Sequence, residues 1–119
     1  MKKIYFIGSC NTCQRILGQL NLGPDFELKD IKKNPITPEE LTQLKALSGS
    51  YEALFSKRAM LYKELGLKEK NLSEVDFKGY ILEHYTFLKR PVLVFNGIIF
   101  IGNSAKVSGA AQIALLNEK

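Results

Sequence analysis

The stretch Ile4-Tyr5-Phe6-Ile7-Gly8-Ser9-Cys10-Asn11-Thr12-Cys13-Gln14-Arg15 constrains this chain more than any other, because it sets both cysteines on the turn between a short apolar strand and the helix that follows. A thiol at a helix start faces unpaired backbone N–H groups and the positive end of the helix dipole, and both favour the thiolate. Cys10 is therefore the candidate nucleophile. Cys13, one turn further along, is placed to attack a mixed disulfide or sulfenic acid on Cys10 and so close an internal disulfide. The same amides, with Ser9, Thr12 and Arg15 beside them, can cradle a tetrahedral oxyanion.

Other readings of the pair exist. Half of a zinc site has the same spacing, but it needs two further ligands and the chain offers only His84, so no metal is expected. A lipoprotein signal would also place Cys10 after Ile7-Gly8-Ser9, yet the apolar run from Ile4 to Ile7 is far shorter than the roughly seven to fifteen residues such a signal needs. Two inert cysteines packed in a core remain open, since free cysteine is among the most buried residue types. Their position directly after a strand argues for chemistry instead.

A chain of 119 residues fits one domain, and no linker is expected. Hydrophobic content of 45% and charged content of 24% suit a soluble globular protein, and no apolar run approaches the roughly 18 residues that span a membrane. The cytoplasm is the expected address, where two cysteines point to redox or metal chemistry more than to a structural bridge. The net charge of +5 comes from lysines interleaved with glutamates, as in Lys63-Glu64 and Lys68-Glu69-Lys70. No recognition-helix or RNA-binding signature accompanies them, so direct nucleic-acid binding is not expected, and an anionic substrate or acidic protein partner fits better.

Along the chain, Lys3 to Ile7 reads as a buried strand and Cys13 to Leu22 as a helix stopped by Gly23-Pro24. Phe26, Leu28 and Asp30 alternate with Glu27 and Lys29, which predicts a second, parallel strand and completes a βαβ unit. Thr37-Pro38-Glu39-Glu40 is a capping box with proline at the first helical position, followed by Leu41, Leu44 and Leu47 on one face until Ser48-Gly49-Ser50. Tyr51 to Leu88 stays helical in two or three pieces, with a second capped start at Ser73 to Asp76. Phe77, Ile81, His84, Tyr85 and Leu88 recur at helical spacing, which makes His84 a boundary residue on a partly buried face. Val92 to Phe95, Asn96-Gly97 and Ile98 to Ile101 predict a hairpin with a type I′ turn, and a last helix runs from about Ala105 to Leu116.

The order is βαβ, a helical segment, then ββα. With a C-x-x-C after the first strand, this is the α/β order of a thioredoxin-like mixed four-stranded sheet, whose helical insertion between strands 2 and 3 covers about residues 37–88. Pro91, at the start of the third strand, then stands where such folds carry a cis-proline that faces the cysteines and presents backbone to substrate.

Four motifs together resemble the glutaredoxin-linked arsenate reductases (ArsC) and their relatives, including the Spx-type redox regulators of RNA polymerase, over nearly the whole chain. They are Cys10-Asn-Thr-Cys13, Asp30-Ile-Lys-Lys-Asn-Pro-Ile, Ser56-Lys-Arg58 with Leu61-Tyr-Lys-Glu-Leu-Gly-Leu67, and Leu88-Lys-Arg90-Pro91-Val-Leu-Val94. The resemblance implies that Cys10 is the reactive thiol and that Arg90, beside Pro91, contacts the oxyanion. A guanidinium fork suits a tetrahedral oxyanion, and its charge lowers the pKa of a nearby thiol. Arg58 stands where the Spx-like branch also carries an arginine. Arsenate reductases of this type have two more arginines, at the places held here by Ser56 and Asn103, and each lost charge-assisted hydrogen bond is worth about 1.5 to 3 kcal/mol. Those reductases also borrow glutathione and glutaredoxin to resolve the first thiol, whereas Cys13 gives this chain its own resolving group, as in the Spx branch. Two functions follow from the resemblance. One is a thiol-disulfide oxidoreductase acting on an oxyanion or disulfide, with glutathione and glutaredoxin, or thioredoxin, as electron donor and no bound cofactor. The other is a redox-sensing regulator that docks on RNA polymerase.

Overall fold

The structure is a computed structural model that describes residues 1–118. Two compact units make up the chain: Met1–Asn34 with Arg90–Lys119, which holds the sheet, and Pro35–Lys89, which is helical.

In the sheet unit, β1 (Lys3–Phe6), α1 (Asn11–Leu20) and β2 (Glu27–Asp30) form the βαβ segment, and β3 (Val92–Phe95), β4 (Ile98–Ile101) and α5 (Ala105–Glu118) complete it; α2 to α4 belong to the helical unit and are described below. The strand order is β2-β1-β3-β4. β1 and β2 run parallel with Phe6 beside Asp30, whereas β3 is antiparallel to both β1 and β4. This is the mixed four-stranded sheet that the sequence order predicts.

A single apolar cluster joins sheet to helices: Ile4, Leu93 and Phe95 from the strands, Ile16 and Leu20 from α1, and Ala111 from α5. Phe26 packs edge-on against Phe95 at 6.1 Å, and Phe100 stacks on it at 5.8 Å. The side chains of Gln19 and Gln112 meet at 3.3 Å where α1 and α5 touch. All four residues of β3 are buried, as the unbroken Val-Leu-Val-Phe run requires of a central strand.

The bounds of β1 and α1 and the exposure of Leu28 differ from the sequence expectation. β1 ends at Phe6, one residue early, although Ile7 is still buried. α1 begins at Asn11 and ends at Leu20, because Asn21 takes up left-handed backbone (φ 49°) and returns its N–H to the Leu17 carbonyl before Gly23-Pro24 is reached. Leu28 was expected to point inward, but β2 is an edge strand and Leu28 is 55% exposed, outside the cluster that the helices bury. Phe26, expected on the same face and just ahead of the strand, does pack against the core.

In the helical unit, α2 (Pro38–Ser48) carries the expected capping box. Thr37 Oγ1 accepts from the Glu40 amide at 3.1 Å, and Glu40 Oε1 accepts from the Thr37 amide at 2.9 Å. α3 (Met60–Glu64) is short, and α4 (Glu74–Glu83) has its own capping box between Ser73 and Asp76. Three 3-10 turns, Glu52–Leu54, Leu67–Glu69 and Tyr85–Phe87, separate these helices, more breaks than the sequence pattern predicts. Phe55 organises the interior, stacking on Phe87 at 5.3 Å and leaning on Phe77 at 4.9 Å. Two extended pieces pair beside it, with the Ser56 amide on the Phe87 carbonyl at 2.7 Å and the Lys89 amide on the Leu54 carbonyl at 2.8 Å. His84 is not on a helical face. α4 stops at Glu83, and the His84 Nδ1 accepts from the Thr86 amide at 3.2 Å, capping the last 3-10 turn.

The hairpin forms as expected, with positive φ at both Asn96 (51°) and Gly97 (73°), the signature of a type I′ turn. A methyl group at Gly97 would meet nothing within 4 Å. Gly97→Ala is therefore expected to destabilise by about 1 to 2 kcal/mol through left-handed backbone strain alone. Gly18→Ala, also with open space but inside α1, is expected to stabilise by about 0.5 to 1 kcal/mol. Urea unfolding midpoints of the two variants should move in opposite directions.

Candidate functional site

The site grows from the end of β1. After Ile7 the chain turns, the Cys10 amide donating to the Ile7 carbonyl at 3.1 Å, and α1 starts when the Gln14 amide donates to the Cys10 carbonyl at 3.1 Å. Cys10 is thus the N-cap, in extended backbone, ahead of a ten-residue helix with no acidic residue in its first turn. Nothing in that turn offsets the positive end of the helix dipole.

Both cysteines are reduced, Cys10 half-buried and Cys13 buried. Their surroundings drive them apart. Burial acts to raise the Cys10 pKa, but the Cys13 amide, the Cys13 thiol, the Thr12 amide and the Arg90 charge together outweigh it and hold Cys10 below its ordinary value. For Cys13, burial dominates; the Ile7 backbone and the Arg90 charge act against it, but the hydrogen bond to Cys10 and the Cys10 charge add to it, and the pKa is pushed up to about 11. One sulfur is prepared to be anionic and the other holds a proton for it.

Cys10, Cys13, Thr12 and Arg90 therefore come together at the start of α1, as the sequence led one to expect. Arg90 reaches the site from the segment before β3, and its Nε is buried. The Arg90–Pro91 peptide is cis, as the thioredoxin-like reading required, and Pro91 is buried with its carbonyl accepting from the Gly102 amide at 2.9 Å. Arg15 is exposed on α1, one turn beyond the cap. Arg58 is exposed in the helical unit, just ahead of α3, and Ser56 there is engaged with the Phe87 carbonyl through its amide. Asn103 is exposed in the turn after β4. Among the described residues no three His, Cys, Asp or Glu side chains gather in a way that would hold a metal ion.

Two further residues touch the cysteine turn that site chemistry alone did not single out. The Gly8 amide donates to Asp30 Oδ2 at 3.1 Å, and the Gly8 carbonyl accepts from Gln14 Nε2 at 2.9 Å. A Cβ at Gly8 would fall 2.7 Å from that Asp30 oxygen, so any larger residue there would displace the carboxylate. The sequence signal was the glycine two residues before Cys10; nothing local pointed to Asp30 as its partner.

A mixed β2-β1-β3-β4 sheet with two thiols at the β1–α1 junction and a cis-proline ahead of β3 defines a thioredoxin-like protein with a redox site. Residues 5–110 match the model of the ArsC family, and the chain belongs to that family. An arsenate reductase of Yersinia enterocolitica is 33% identical over 93 residues, covering 76% of this chain and 66% of its own length. The chain thus spans about two thirds of the length of that relative. The global transcriptional regulator Spx 2 of Bacillus anthracis is 29% identical over 105 residues, covering 86% of this chain and 79% of its own. Among solved structures, an arsenate reductase from Vibrio cholerae superposes with a TM-score of 0.74 at 25% identity, covering 92% of this chain and 93% of that one.

The opposed shifts give a direct expectation. Between the lowered Cys10 value and about 11 for Cys13, only Cys10 ionises, so iodoacetamide at neutral pH should add once, at Cys10. The rate should rise with pH through a midpoint below that of an ordinary cysteine thiol. Arg90→Gln removes a charge that favours the thiolate and should move that midpoint upward. Mass spectrometry of the reduced protein across a pH series reads both outcomes.

Proposed function

We propose that this chain is a thiol-disulfide oxidoreductase in which Cys10 attacks and Cys13 resolves, acting on a disulfide or an oxyanion such as arsenate. The observation that carries the reading is the opposite polarisation of the two sulfurs, one held below and the other well above the ordinary cysteine range. A nucleophile must be anionic when substrate arrives, and a resolving thiol must keep its proton until the first bond has formed.

With a disulfide substrate, the Cys10 thiolate forms a mixed disulfide and expels one substrate thiol. Once the Cys10 charge is spent, Cys13 loses the anion that raised its pKa, gives up its proton and attacks the Cys10 sulfur. The second substrate thiol leaves, and the protein holds a Cys10–Cys13 disulfide, two electrons poorer. With arsenate, Cys10 forms a bond to arsenic as one oxygen leaves as water. Attack of Cys13 on the Cys10 sulfur then leaves the electron pair on arsenic, which departs as trivalent arsenite. In either case a donor dithiol, or glutathione with glutaredoxin, returns two electrons and two protons. Thr12, Arg15 and Arg90 would bind the oxyanion, and Pro91 would present backbone to substrate. Serine and asparagine at positions 56 and 103, where arginines serve arsenate in the resembling reductases, favour a substrate less demanding of charge than arsenate. The reading places the protein in a reducing compartment, the cytoplasm.

A second reading is a redox-sensing regulator, in which the same disulfide alters a surface that docks on RNA polymerase. It is supported by the Spx 2 relative, which aligns over a larger share of both chains than the arsenate reductase does.

Equilibration of the Cys10–Cys13 pair in glutathione buffers, with arsenate-dependent glutathione oxidation measured on the same sample, distinguishes the two. A reversible disulfide with turnover that disappears in Cys10→Ser is the result expected of a reductase. A reversible disulfide without turnover, together with redox-dependent copurification of RNA polymerase, would transfer the function to the regulator. Failure to form the disulfide at any potential would overturn the resolving role of Cys13 in both.

A further inference from the structure

Gly8 is gripped from both sides. Its N–H donates to Asp30 Oδ2 at 3.1 Å, and its C=O accepts from Gln14 Nε2 at 2.9 Å. The second oxygen of Asp30 is also used, accepting from the Lys32 amide at 3.0 Å, while the Asp30 carbonyl accepts from the Asn34 amide at 2.9 Å. The carboxylate is therefore held at the end of β2 by the turn that follows it, and it holds the turn at the end of β1 in return. Phe6 and Asp30 are direct partners in the parallel pair, and the Ile31 amide donates to the Phe6 carbonyl at 2.9 Å. Gln14 closes the grip from the first turn of α1, whose first bond is accepted by the Cys10 carbonyl. Cys10 sits between these two attachments, two residues after one and four before the other.

We infer that Asp30 is a positioning residue for the cysteine pair: through the Gly8 amide, and with Gln14 on the Gly8 carbonyl, it fixes the turn that presents Cys10 Sγ to the Thr12 and Cys13 amides and to Arg90. Asp30 touches no reacting atom in this arrangement. It acts through the backbone, its carboxylate seated so close to Gly8 that a Cβ there would fall 2.7 Å from Oδ2. The inference rests on Cys10 being the reactive thiol.

The sign of the effect separates positioning from simple charge. Removing a carboxylate near a thiol should, by Coulomb's law alone, make the thiolate easier to form and move the alkylation midpoint down. Loss of positioning loosens the amides and Arg90 from the sulfur and moves it up. Asp30→Ala is expected to raise the midpoint of Cys10 alkylation by about one pH unit and to slow alkylation at pH 7 by up to about tenfold. Asp30→Asn, which keeps an acceptor for the Gly8 amide, is expected to stay close to the wild-type midpoint. Gln14→Ala and Gly8→Ala should shift upward as Asp30→Ala does, and the Asp30→Ala/Gly8→Ala double variant should shift no further than either single one. Asp25→Ala, which removes an exposed carboxylate paired with Lys2 away from the turn, is the control and should leave the midpoint in place. Circular dichroism on each variant establishes that it is folded, and if Asp30→Ala is not, the Gln14→Ala and Gly8→Ala midpoints decide. An ordinary midpoint in the wild-type protein would overturn the role of Cys10 and this inference with it. A lowered wild-type midpoint that the folded variants leave unchanged, or move downward, would overturn the positioning role of Asp30 alone.

Discussion

β1 is four residues long and both of its edges are occupied, by β2 in parallel on one side and β3 in antiparallel on the other. Parallel pairing cannot be closed by a tight turn, so the chain must cross over between Phe6 and Glu27, and α1 is that crossover. The crossover has to start from the carboxyl end of β1, where the backbone leaves the sheet and its amides are released from the ladder. Both cysteines lie in that release. Their chemistry is a consequence of the pairing: the helix begins where the strand ends, and its unpaired amides and dipole act on whatever side chain occupies the cap.

The two thiols differ because the same turn treats them differently. Cys10, at the cap, meets amides and the Arg90 charge; Cys13, one turn in, meets the apolar interior. Each also shifts the other, since a proton on Cys13 stabilises charge on Cys10 and that charge keeps the proton on Cys13. A pair coupled in this way is suited to a two-step exchange, because spending the first sulfur releases the second. An arsenate reductase and a transcriptional regulator both resemble this chain, so the shared scaffold does not by itself fix one activity.

Features written in adjacent residues were legible before the structure. The Asn96-Gly97 turn, the Thr37–Glu40 and Ser73–Asp76 capping boxes and the ββα ending each depend on contacts within a few positions, and each forms as read. The misreadings are those in which distant packing or a competing local bond intervened. Alternation placed Phe26 and Leu28 on one inward face; Phe26 does pack against the core, but the apolar cluster does not extend to Leu28 on the edge strand. Helical spacing carried α4 through His84, yet the imidazole found a closer use capping the turn that follows.

At the site the division is similar. A C-x-x-C after a buried strand was enough to name Cys10 and Cys13, because helix-start chemistry is a property of sequence order. Of the distant groups beside them, Arg90 was expected only through the family resemblance, and Asp30 was not expected at all. Arg90 is brought to Cys10 by the β1–β3 pairing, and the Asp30 carboxylate reaches Gly8 across 22 residues by the β1–β2 pairing. The sequence by itself determined most of the elements, their order and the candidate cysteine pair, since those follow from short-range propensity and pattern. Only the tertiary structure decided how each thiol is polarised and what holds the turn, since charge, burial and hydrogen bonding act through space and depend on which strands lie side by side.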